Sequence, residues 1–248
     1  MKLRGRRSGG NLPGVGDYGQ YCPIARSAEV LAERWTPIIV RNMLNGCRTF
    51  GEIRQGAPGI PPAVLTRRLH TLERAGVLVR VAGDSGRGHR YELTQMGLEL
   101  RDVVDAMGQW GARWIEIEPR HLDAAYVLWA TSKLVDPDRI PDTTTVVRFD
   151  LEDAPNDRFW LLVRRLQSEL CTRPTGYAED VVCTTTTRCL VEIHLRRTSF
   201  ASALRSERLR LAGPPRLTRG FGSWFRASPF APYDAVRQPP LPEPVSPR

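Results

Sequence analysis

Lysine is almost missing from this chain. Lys2 and Lys133 are the only two among 36 basic residues, so arginine carries nearly all the positive charge. Long apolar runs are missing too: the longest, Ala124–Ala130, falls far short of the roughly 18–20 residues that a bilayer crossing needs, so no transmembrane helix is expected. The basic start, MKLRGRRSGG, runs into Gly, Asn and Pro where a secretory signal has an apolar stretch, which points to a cytoplasmic protein. Cys22, Cys47, Cys171, Cys183 and Cys189 are odd in number and lack C-x-x-C spacing, which argues against a disulfide framework and a zinc site. His70, His89, His121 and His194 are scattered with no H-E-x-x-H or H-x-x-x-H pair, so no metal is expected. There is no G-x-S-x-G, no P-loop and no Cys–His nucleophile motif, so neither an enzyme nor a cofactor is expected. Gly14-Val15-Gly16-Asp17-Tyr18-Gly19 fits G-x-G-x-x-G, but no strand precedes it and the dinucleotide reading fails on context.

What is present is an ordinary globular composition, 41% hydrophobic and 25% charged, over 248 residues, a length that suits two modest domains. The charge is uneven. Residues 41–90 hold nine Arg against Glu52, Glu73 and Asp84, whereas residues 121–248 hold 18 basic and 15 acidic residues. A concentrated basic surplus suits a polyanionic partner, because phosphate neutralisation releases counterions. A solvated basic face is the alternative.

Along the chain, residues 1–17 are Gly- and Arg-rich and read as a disordered tail. From Ile24 to Leu44 apolar residues keep helical spacing, broken at Thr36-Pro37, which predicts two helices meeting at Trp35 with Thr36 as cap and Pro37 at the first helical position. A short helix over Thr49–Arg54 follows, then a stiff turn at Gly56–Pro61, then a helix from about Pro62 to Ala75 stopped by Gly76. That helix has two faces. Leu65, Leu69 and Leu72 form an apolar stripe, while Ala63, Thr66, Arg67, His70 and Arg74 recur on another face. Two helices joined by a tight turn, the second with a polar and basic face, fit a helix-turn-helix whose recognition helix enters the major groove; an amphipathic surface helix is the plain alternative. Val77–Val81, a Gly-rich turn and Arg90–Leu93 then make a hairpin, a wing with Arg87 at its tip and His89 and Arg90 beside it, suited to phosphate or minor-groove contact. After it, Thr94 is placed to cap a long helix in which Leu98, Val103, Val104, Met107, Trp110 and Trp114 keep helical spacing. Such a helix suits a twofold dimer reading a pseudo-palindrome, or intrachain packing on a second domain.

The residues Cys22-Pro23-Ile24, Leu31–Thr36, Arg48–Ile53, Gly59-Ile60, Leu65–Leu69, Leu72–Leu78 and Tyr91–Thr94 resemble the HxlR family of winged-helix bacterial transcription regulators over about residues 20–115. The resemblance implies a homodimer that binds operator DNA and usually represses, sometimes activates, nearby genes from the nucleoid. The candidate DNA contacts from the helix face and the wing are Ala63, Thr66, Arg67, Arg68, His70, Arg87 and Arg90. Two positions depart from the family: Pro61 stands where a capping Ser is usual, and Ala63 where a basic residue is usual. In some members the N-terminal Cys is a redox sensor, and Cys22 matches it, with Arg26 one turn on to favour a thiolate. Packing beneath the first helix is the other reading of Cys22.

In the second half a connecting helix is predicted over 121–135, with strands at Thr144–Leu151, Phe159–Arg165, Glu169–Thr172 and Asp180–Thr185, and helices near Arg188–Leu195, Phe200–Ser206 and Pro215–Trp224. Phe149 with Phe159, Leu161 and Val163 can line one sheet face. The fold class expected is α+β in both halves. Phe200–Gly213, running on to Phe221 and Trp224, is similar to the closing segment of the sterol carrier protein fold. That resemblance implies an apolar cavity for a hydrophobic small molecule, with Phe149, Trp160, Phe221 and Trp224 as lining; the same four also suit plain core. The expected organisation is a tail at 1–17, a winged helix-turn-helix dimerisation domain at 18–118, a sterol-carrier-like domain at 119–231 and a Pro-rich tail at 232–248. The reading is a ligand-responsive regulator. Its alternatives are a constitutive DNA binder, a lipid or metabolite carrier with a vestigial winged helix, and a Cys22-based redox regulator.

Overall fold

A computed structural model describes residues 18–83, 88–165 and 168–236. Residues 1–17, most of the Pro-rich tail and Arg87 at the wing tip lie outside this set. The chain divides between Val104 and Asp105 into two compact units, so the change falls inside a helix and not at 118–119.

The first unit opens with α1 (Pro23–Leu31) and α2 (Thr36–Leu44). Trp35, not Thr36, is the residue at the head of α2: it sits at φ 79° in the left-handed region, and Thr36 is the first helical residue, buried. The Thr36 N–H closes a turn on the Glu33 carbonyl at 3.0 Å, which pushes the reversal onto Trp35. α3 (Phe50–Gln55) starts with a capping box in which the Thr49 hydroxyl accepts from the Glu52 N–H and the Glu52 carboxylate accepts from the Thr49 N–H. Asn42, fully buried on α2, donates to the Ile53 carbonyl at 2.8 Å and so fixes α2 against α3. α4 (Pro62–Arg74) buries Leu65, Leu69 and Leu72, and Gly76 follows it at φ 78°. β1 (Leu78–Ala82) and β2 (His89–Leu93) pair antiparallel, Leu78 opposite Leu93 and Ala82 opposite His89. The Tyr91 N–H donates to the Arg48 carbonyl at 2.7 Å, tying the hairpin to the chain entering α3.

The long helix expected after Thr94 is broken in two. Thr94 caps α5 (Gln95–Leu98), whose Gly97 is pressed on the Val77 carbonyl, and after Glu99 the chain restarts as α6 (Leu100–Trp114). Only Val104 of α6 is buried. Val103, Met107 and Trp110 stand exposed one turn apart, Trp110 at 60%. Another side of α6 packs within the second unit: Gly108 lies under the Phe230 ring, and the Arg113 guanidinium lies 5.7 Å from the Tyr233 ring centroid.

The second unit continues with α7 (Ala124–Ser132), β3 (Thr145–Leu151), β4 (Arg158–Val163), β5 (Glu169–Cys171), β6 (Val181–Thr185), α8 (Thr187–His194), α9 (Phe200–Arg205), β7 (Leu209–Ala212), α10 (Pro215–Thr218), a 3-10 turn at Phe221–Trp224 and α11 (Ala231–Ala235). The sheet order is β5-β4-β3-β6-β7, with β3 and β6 parallel and the other neighbours antiparallel. Phe149 faces Phe159 on β4 and Cys183 on β6, and this is the face toward α7, α8 and α9. β7 and α11 were not anticipated. Four residues of alternation give a weak strand signal, and α11 extends past the tail boundary at 231–232 because Asp234 is buried against Arg197, which donates Nε at 2.7 Å.

Candidate functional site

The sequence itself shapes the outer face of α4. Gly59 takes φ 81° in the turn, Ile60 is buried, and Pro61 and Pro62 open the helix without a side-chain cap, so the expected loss of a capping hydroxyl is seen directly. With the leucine stripe buried, Ala63, Thr66, Arg67, His70 and Arg74 are all exposed. Thr66 bonds back to the Pro62 carbonyl at 3.0 Å, while His70 lies 3.8 Å from Glu73.

Arg68 does not join this face. Its side chain is 11% exposed, paired with Glu33 and donating from Nε to the Arg34 carbonyl at 3.3 Å, so it anchors α4 to the turn between α1 and α2. One residue on from Arg67 is 100° around a helix, which turns Arg68 inward. On the wing, Arg90 is half-buried opposite Val81, His89 is exposed opposite Ala82, and Arg87 lies outside the described residues. Cys22 is half-buried at the cap of α1, and Arg26, the cation expected to favour its thiolate, is bridged to Glu29 at 2.5 Å. All five cysteines are free thiols.

In the second unit a void of about 20 Å³ lies between Leu128 and Thr131 of α7, Phe149 of β3, Leu190, Ile193 and His194 of α8, and Phe200 and Phe225. Of the four lining residues expected, only Phe149 reaches it. Phe221 and Trp224 are one layer back, Phe221 packing edge-on against Phe200 and Phe225 with centroids 5.5 Å away. Trp160 is on the other sheet face, clustered with Val146 and Leu162, its Nε1 donating to Glu179 at 2.8 Å. Its parity explains this: Phe149 pairs with Phe159, so Trp160 must point the opposite way. Phe200 and Phe225 take the places expected for Trp160 and Phe221.

His194 contacts the Thr131 hydroxyl at 3.3 Å, and burial, helped by Arg196, takes its pKa from 6.5 down to about 4. The folded state therefore binds fewer protons than the unfolded state between pH 4 and 6.5, and stability is lost as pH falls through that window. On the order of 2 kcal/mol should disappear between pH 7.5 and pH 5. Urea unfolding at both values, repeated on His194→Gln, is the check. An equal pH response in that variant would show that His194 is not responsible.

Among the described residues no helix is long and apolar enough to cross a membrane, and no group of three or more His, Cys, Asp or Glu is placed to hold a metal ion. Residues 30–119 match the model of the HxlR-like helix-turn-helix family. The chain is 33% identical over 106 residues to the HTH-type transcriptional regulator YvaP of Bacillus subtilis, covering 42% of this chain and 96% of that one. It is 33% identical over 101 residues to the HTH-type transcriptional regulator sll1512 of Synechocystis, covering 40% and 75%. The reduced form of the transcriptional regulator YodB from B. subtilis is similar at 29% identity, covering 39% of this chain and 97% of that one, with a TM-score of 0.35. With its winged helix-turn-helix in the matched region, the chain belongs to the HxlR-like helix-turn-helix family and is a DNA-binding transcriptional regulator of that type.

Proposed function

We propose that the protein acts in the cytoplasm as a homodimeric, sequence-specific repressor that binds a pseudo-palindromic operator, with affinity set by a hydrophobic small molecule in the second unit. The observation that carries this reading is the outer face of α4, where Ala63, Thr66, Arg67, His70 and Arg74 are exposed over a buried leucine stripe. That face enters the major groove, and the wing lies along the flanking backbone. Fluorescence anisotropy on the protein's own upstream intergenic DNA, against a scrambled duplex at several salt concentrations, tests it. Equal affinity for both duplexes would overturn sequence-specific recognition.

The dimer is supported by α6, which leaves Val103, Met107 and Trp110 to solvent, 44%, 52% and 60% exposed. A run of large apolar side chains on one helix marks an interaction face. Trp110→Glu should turn a sedimenting dimer into a monomer and weaken operator binding at least about tenfold, since two linked half-sites bind with avidity. A variant that still sediments as a dimer would move the interface elsewhere. Ligand control then follows from linkage: a molecule bound more tightly by one conformation shifts DNA affinity by that difference.

A further inference from the structure

We propose that the void between α7, β3 and α8 is the closed form of a site for a small aromatic monocarboxylate, a benzoate-sized acid, seated where the Phe225 ring now lies. The inference rests on the reading of the second unit as ligand-binding and names the ligand's class. At about 20 Å³ the void holds one water, so a ligand enters only by displacing a side chain. Phe225 is that side chain. Its backbone is pinned, since Val135 and Phe225 form a β-bridge and the Arg226 N–H donates to the Leu134 carbonyl at 2.8 Å, so opening the site requires the buried ring itself to rotate about its side-chain bonds. The vacancy has the shape of a phenyl ring. It keeps the Phe200 ring on one side, now stacked on Phe225 at 22° and 5.7 Å, and the Phe221 ring edge-on at 5.5 Å. A ligand ring restores both contacts; a long alkyl chain restores neither and finds no further room.

The mouth selects charge. Arg196 and Arg226 both line the void and are both exposed. Arg196 donates to the Phe225 carbonyl at a long 3.3 Å, and Arg226 is oriented by Asp136 at 3.1 Å. Arg196, Arg226 and Arg139, which shares Asp136, against Asp136 and Asp138 leave a net positive rim, and a guanidinium has five donors, enough to keep these contacts and take a carboxylate.

The test is calorimetry and thermal shift on the full-length protein with benzoate, phenylacetate, benzyl alcohol and decanoate. The two aromatic acids should bind one per chain and raise the melting temperature, with benzyl alcohol at least tenfold weaker. In Arg196→Gln/Arg226→Gln that preference should vanish. Phe225→Ala, which removes the closing ring, should bind benzoate tighter than the wild type, because the open state no longer has to be populated; should it fail to fold, the wild-type and arginine-variant comparison decides alone. Equal binding of benzyl alcohol and benzoate by the wild type overturns the acid class, and tighter binding of decanoate overturns the aromatic class, each leaving the hydrophobic-ligand reading in place. Binding of none of the four, to wild type or Phe225→Ala, overturns that reading as well.

Discussion

Arg67→Ala should lower operator affinity by roughly thirtyfold to ten-thousandfold, at about 1–3 kcal/mol per base-reading arginine and two such contacts in the proposed dimer. Arg67 is exposed on α4 between Thr66 and His70, and among the described residues its side chain has no hydrogen bond or ion pair. If it reads a base, discrimination between operator and scrambled duplex collapses. If it grips phosphate, both duplexes weaken together and the salt slope falls by about two per dimer. Arg68→Ala is the matched control. Arg68 ties α4 to Glu33 and the Arg34 carbonyl, so its loss should lower the unfolding midpoint and leave the salt slope unchanged. Unchanged affinity in Arg67→Ala would remove α4 from the DNA-reading role.

Gly97→Ala should cost about 3 kcal/mol or more, at the upper end for an overpacked site, and lower the melting temperature of the first unit by on the order of 15 °C. A Cβ there would fall 2.2 Å from the Val77 carbonyl oxygen and 2.9 Å from a Leu93 methyl. The carbonyl cannot step aside, because it accepts from the Thr94 N–H at 3.1 Å, and the Thr94 hydroxyl holds the neighbouring Gly76 carbonyl at 2.6 Å. Val77 leads into β1 and Leu93 ends β2, so the strain lands at the root of the wing. Circular dichroism melts with operator binding on the same samples check this: both should fall, although Gly97 itself is buried. A melt within a degree of wild type would mean that the wing root yields freely.

The first unit was legible because its signals are local. The leucine stripe of α4 and Gly76 after it each depend on a few adjacent residues and survive folding unchanged. The partner of Arg68 was not legible, since a helical wheel turns it from the outer face but does not tell that Glu33, thirty-five residues away, claims it. Trp35 as the reversal point was hidden for the same reason: Thr36-Pro37 is a good helix start in isolation, and the turn onto Glu33 decides otherwise. In the second unit four of the five strands could be read, β7 being too short, but the partners across them could not. Trp160 is the exception: strict alternation with Phe159 already places it on the far face, a signal available in the sequence. Phe225 carried no such signal, because it sits after a 3-10 turn where no period applies.

The β3–β6 pairing bears on synthesis of the chain. Its strands are parallel, and Leu151 and Val181 are separated by β4 and β5, so no hairpin can make the join. β3 zips onto β4 at once, but its other edge waits until residue 185 has emerged, and β6 waits again for β7 at Leu209–Ala212. A ribosome paused between these points holds out a strand edge flanked by Val146, Val147 and Phe149, the kind of template that recruits other chains. The winged helix-turn-helix, made of near-neighbour contacts, will already have folded. Truncations ending between 165 and 180 should therefore aggregate through the second unit while the first remains native.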